Sequence, residues 1–104
     1  MLTEDRGYNF VAELTLNKSR VLAEQSQPSD DKVNWLVLNV GERQFSFVYK
    51  IEKPLEAEYG RPFRADIAIT MIEIAASIVE LNHPYEVLRG QEIIGTARLI
   101  KPLM

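Results

Sequence analysis

Apolar and polar positions alternate in several separate stretches of this chain. In the first, Phe10, Ala12, Leu14 and Leu16 fall on one side of an extended segment, and Glu13 and Thr15 fall on the other. A period of two is the mark of a half-buried strand. The same pattern returns in Gln44–Ile51, with Phe45, Phe47, Tyr49 and Ile51 inward, and in Arg64–Met71, with Ala65, Ile67, Ile69 and Met71 on one face. Val33–Val40 is dense in β-branched and aromatic residues and predicts a further strand. Gly41-Glu42 then predicts a hairpin closed by Val40-Gly41-Glu42-Arg43. Trp35 is expected to pack in the core or at its rim rather than to serve as a ligand platform.

Between these stretches the pattern lapses. Asn17–Lys32 carries Ser19, Gln25, Ser26, Gln27, Pro28, Ser29, Asp30 and Asp31, and its second half is a loop by composition. Val21-Leu22-Ala23 either continues the first strand or forms a turn of helix. The loop as a whole is expected to be a solvated insertion. Glu52–Pro62 is a connector, because Pro54 and Pro62 remove ladder donors. Ile72–Leu81 fits two patterns, a strand end followed by a turn or a short helix with Ile74, Ile78 and Leu81 on one side. Tyr85–Leu88 and Ile93–Ile100 close the chain as two strands. Arg89-Gly90-Gln91-Glu92 between them is a tight turn, with Gly90 suited to a positive φ at its first central position. Gly95 inside the last strand predicts a bulge, a bend or close backbone packing.

About five to seven strands in this order predict an all-β fold, a small antiparallel barrel or sandwich. The chain of 104 residues suits a single domain, 1–104. A long edge such as Gln44–Ile51 is expected to be open to pairing between chains, so oligomeric state is left open.

Composition narrows the chemistry. Hydrophobic residues make up 46% of the chain, enough for a core without disulfide or metal, and there is no cysteine. That suits a reducing, cytoplasmic setting. The N-terminus has no apolar stretch behind a positive start, so no secretory signal is expected. Ala65–Leu81 carries Asp66, Glu73 and Glu80, which speaks against a membrane span. A net charge of −3 disfavours nonspecific nucleic-acid binding.

No catalytic, cofactor-binding or metal-binding residues are expected. His83 is the single histidine and has no ligand cluster around it in sequence, and Pro84 limits it to extended or turn geometry. There is no Gly-x-Ser-x-Gly elbow and no glycine-rich phosphate loop. An enzyme or ligand binder would need Glu56, Glu58 or Asp66 to converge in a pocket. An RNA-binding face would need Lys50, Lys53, Arg61 and Arg64 together with an exposed aromatic, drawn from Tyr49, Tyr59 and Phe63.

The C-terminal run Tyr85-Glu86-Val87-Leu88-Arg89-Gly90-Gln91-Glu92-Ile93-Ile94-Gly95-Thr96-Ala97 resembles the last hairpin of the third domain of elongation factor Tu and of small stand-alone bacterial proteins built on that barrel. Gly90 matches the turn glycine and Gly95 the strand glycine. Phe63–Met71 resembles the preceding strand and Phe10–Leu16 the opening one. The middle departs from the family, because Tyr59-Gly60-Arg61-Pro62 sits too late in the strand order to match its Tyr-Arg-Pro segment. Transfer-RNA binding is therefore not carried over, and the GTPase domain is absent from these residues. The resemblance implies a closed, six-stranded Greek-key barrel that serves as a binding module. The expectation is a non-enzymatic domain whose partner is another protein. A translation-associated RNA-binding module and an accessory or toxin-neutralising partner protein are the alternatives.

Overall fold

Each alternating stretch forms a strand, because only an extended backbone puts its apolar set on a single side. The third ends at Ile69, however, so Met71, expected on its inner face, lies beyond it in a left-handed turn and is exposed. The computed structural model describes residues 7–17, 28 and 31–103, and from 31 to 35 the backbone alone. Among the described residues there are six strands: β1 (Phe10–Leu16), β2 (Asp31–Val40), β3 (Arg43–Ile51), β4 (Phe63–Ile69), β5 (Pro84–Arg89) and β6 (Glu92–Pro102). One four-residue helix, α1 (Ile72–Ala75), lies between β4 and β5, and Pro54–Glu56 makes a 3-10 turn in the connector after β3. Most of the loop 17–32 and the Trp35 side chain lie outside the described residues.

The strands close into an antiparallel barrel in the order β1-β4-β3-β2-β5-β6, with β6 returning to β1. β2, β3 and β4 are consecutive, and β5 comes back beside β2. That is the Greek-key arrangement. Closure corrects one expectation. β3, which contains Gln44–Ile51, is hydrogen-bonded by β2 on one side and β4 on the other, so it is not an edge open to another chain.

Both predicted turns are present. Val40 pairs with Arg43 around Gly41, whose φ is 63°, and Arg89 pairs with Glu92 around Gly90, whose φ is 62°. A glycine first in a two-residue turn lets the chain reverse without opposing the strand twist. Gly95 combines two of its three expected roles. The β5–β6 register breaks between Val87, opposite Gly95, and Leu88, opposite Ile93, which leaves Ile94 as the extra residue of a bulge. Gly95 also packs directly on the β1 backbone.

The interior is filled by side chains. Leu14, Leu38, Phe47, Ile67, Val87 and Leu99 are fully buried, and Phe45, Tyr49 and Ile51 join them from β3. Even eight-stranded barrels leave an interior that side chains can fill, so a six-stranded one is narrower still. Burial of each large aliphatic side chain stabilises the fold by about 1.5–3 kcal/mol. Among the described residues no helix is long and apolar enough to cross a membrane.

The ring order also decides where the connections run. β4 and β5 are three strands apart in either direction around the ring, and so are β1 and β2. The β4–β5 connection therefore crosses one mouth of the barrel, while β1 ends and β2 begins at the other. Residues 70–83, which include α1, form a strap over the first mouth.

Candidate interaction surface

The strap begins where β4 is pinned. Thr70 donates its backbone N–H and its hydroxyl to the Ser46 carbonyl, at 2.9 and 2.8 Å, and its Oγ1 lies 2.9 Å from Ser46 Oγ. On the other side, the Ile69 N–H donates to Asn9 Oδ1 at 2.7 Å. Met71 then turns the chain over the mouth with φ 54° and ψ 44°, a left-handed conformation uncommon for a bulky side chain. The far rim is fixed in a similar way. Asn82 has φ 63° and donates its N–H to the Leu99 carbonyl, while the Glu80 N–H donates to the Tyr85 hydroxyl at 2.8 Å. The His83 ring packs against that of Tyr85, with centroids 4.7 Å apart.

Between these anchors the backbone stays helically wound beyond α1, with N–H to carbonyl bonds from Ala75 to Met71, Ala76 to Ile72 and Val79 to Ala75. This winding sorts the side chains. Ala75 is wholly buried in the core, and Ile72 and Val79 pack against it. Met71, Ile74 and Ile78, at the i, i+3 and i+7 spacing of one helical side, face outward with 60%, 37% and 40% of their surface exposed. Leu81 follows at 46%. The helical side offered by the sequence, Ile74, Ile78 and Leu81, is thus the solvent side, and the strand-end alternative for this stretch is overturned. Four large apolar side chains exposed on one short connector depart from the scattered single exposures normal for a protein surface.

The opposite mouth holds the residues considered for RNA binding or catalysis. Lys50 stands opposite Asp66 across β3–β4, and Arg64 opposite Glu13 across β1–β4. Arg61 Nε lies 3.9 Å from Glu58 Oε1 in an exposed ion pair. Of the aromatics, Tyr49 and Phe63 are buried and Tyr59 packs against the core. Burial raises the Tyr59 hydroxyl above the ordinary tyrosine value by desolvation. An open groove of about 430 Å³ is lined by Glu13, Glu52, Lys53, Glu56, Pro62, Phe63 and Arg64. It brings Glu56 beside two other carboxylates but includes neither Glu58 nor Asp66. Among the described residues no three His, Asp or Glu side chains are placed to hold a metal ion. His83 sits at the strap, at the far end of the barrel from this groove.

The strap surface was missed by sequence reasoning directed at catalytic and metal-binding clusters, since its exposed set is mainly apolar. The signal that finds it is apolar content on two sides of one helical stretch. Comparison with protein-family models, with curated proteins and with solved structures finds no match to this chain.

Proposed function

We propose that this chain is a non-enzymatic interaction module, acting in the cytoplasm, that binds another protein through the strap over its barrel mouth. The observation that carries this reading is the exposed apolar set Met71, Ile74, Ile78 and Leu81 on a connector hydrogen-bonded at both rims. Exposed apolar groups held on a fixed backbone release water on contact at little ordering cost, which favours association. The filled interior supports the same reading, since the barrel encloses side chains instead of a ligand. So does the resemblance of the last hairpin to the third domain of elongation factor Tu, a barrel that serves as a binding module. The basic residues near the other mouth are interleaved with carboxylates and their aromatics are packed away, which favours a protein over RNA as partner.

The test is recovery of the tagged protein from its native host, with and without nuclease, beside the I74S/I78S variant. One stoichiometric protein that survives nuclease and is lost with the variant is expected. Bound RNA released by salt, or a partner indifferent to the variant, overturns the reading.

A further inference from the structure

The charges on the strap itself are one-sided. Residues 70–83 include two carboxylates, Glu73 and Glu80, and no lysine or arginine. Glu73 and Glu80 are exposed on the strap itself, among its apolar side chains. The hairpin turn at the same mouth carries one charge of each sign, Glu42 and Arg43, and β6 adds Lys101 and Arg98, the latter opposite Pro84 at the strap's end. The strap's own two charges are thus both negative, and the cations stand at its rim.

We infer that the occupant of this surface is a cationic amphipathic segment of another protein, with an apolar ridge flanked by lysine or arginine. The inference rests on the protein-binding reading above and specifies its partner. An apolar ridge covers Met71, Ile74 and Ile78, and flanking cations meet Glu73 and Glu80, so one short segment satisfies both features. The other occupants of an apolar patch fare worse. A second copy of this chain would offer a strap with two carboxylates and no cation of its own. An anionic membrane surface and a nucleic acid are repelled by the same two groups.

Two synthetic helix-forming peptides with the same leucine ridge, one flanked by lysine and one by glutamate, test this by fluorescence anisotropy with the intact protein. The lysine peptide is expected to bind about tenfold more tightly, with the advantage shrinking as salt rises. E73K/E80K is expected to reverse the preference. I74S/I78S is expected to abolish binding while circular dichroism still shows the folded barrel; its melting temperature falls somewhat, since the two residues are only 37% and 40% exposed. Equal affinity for the two peptides, no binding of either, binding to phosphatidylglycerol vesicles, or dimerisation through the strap overturns the inference. If the glutamate peptide is preferred and I74S/I78S abolishes it, the charge inference fails and the protein-binding reading stands. If neither peptide binds and the native partner is still recovered with I74S/I78S, both fail.

Discussion

Gly95 of β6 lies so close to Thr15 of β1 that a side chain on it would have to enter the Thr15 carbonyl oxygen. The Cβ of any other residue there would also come within 3.0 Å of the Leu16 Cα. Both obstacles are backbone, and both belong to the strand pairing that closes the ring. G95A is expected to destabilise the protein by about 3 kcal/mol, the upper end of overpacking costs. G90A meets nothing within 4 Å and costs only its left-handed strain, about 1 kcal/mol. Urea unfolding of the two variants side by side checks the difference.

Tyr85 is the hook on which the strap's second half hangs. Its buried ring fills the mouth and its hydroxyl accepts the Glu80 N–H. Y85F keeps the ring and removes the acceptor, so the expected loss is about 1 kcal/mol. The sharper readout is hydrogen exchange. The Glu80 amide should lose protection in Y85F while amides within β2 and β3 keep theirs; uniform loss would show that the hydroxyl supports the whole fold.

Asn9 ties the start of β1 to two other segments, β4 and the residue after β6, at the same mouth. Its side chain accepts from Ile69, its N–H donates to Ile67, and its carbonyl accepts from Leu103. N9A removes only the first of these and leaves a partly buried N–H without its acceptor, at a cost of about 1–2 kcal/mol. N9D preserves an acceptor of the same shape and is expected to recover most of the loss. A lower urea midpoint at unchanged slope in N9A marks a change in stability alone.

Met71 holds a left-handed backbone in order to stand exposed. M71G relieves that strain and is expected to raise stability by about 0.5–1 kcal/mol, after the entropy of the freer unfolded chain is counted. The same variant should weaken binding of the lysine peptide, because an apolar contact has gone. Stability and binding moving in opposite directions, by thermal melting and anisotropy, is the expected pair of results. A variant that is both less stable and equally able to bind would refute it.

Much of the barrel is legible in the sequence because each strand turns one apolar face to the core, although the outward Val11, Val48, Ala68 and Leu88 are buried as well. Phe10–Leu16, Phe45–Ile51 and Phe63–Ile69 alternate for that reason, and the two hairpins are announced by Gly41 and Gly90. Three features escape such a reading. Ring closure depends on pairing β1 with β6, strands at the two ends of the described residues, and no local pattern encodes it; this is why β3 looked like an edge. The β2–β3 register breaks between Asp31 and Leu36, a displacement that composition does not signal. The strap is ambiguous because Ile72, Ala75 and Val79 face the core while Met71, Ile74 and Ile78 face solvent. With apolar residues on two sides of one helical stretch, no single period stands out.

The closed ring has a consequence for how the chain is made. β1 emerges from the ribosome first, yet its two neighbours are β4 and β6, both made later. Its apolar face, Phe10 to Leu16, must wait until Phe63–Ile69 exists before it finds any partner, and until β6 is complete before it finds the second. Contacts between such distant segments form slowly, because the intervening chain must first be gathered in. The earliest of the six strands is thus, with β5, among the last to be sheltered on both sides, and its apolar face is exposed to wrong pairings until β6 has followed.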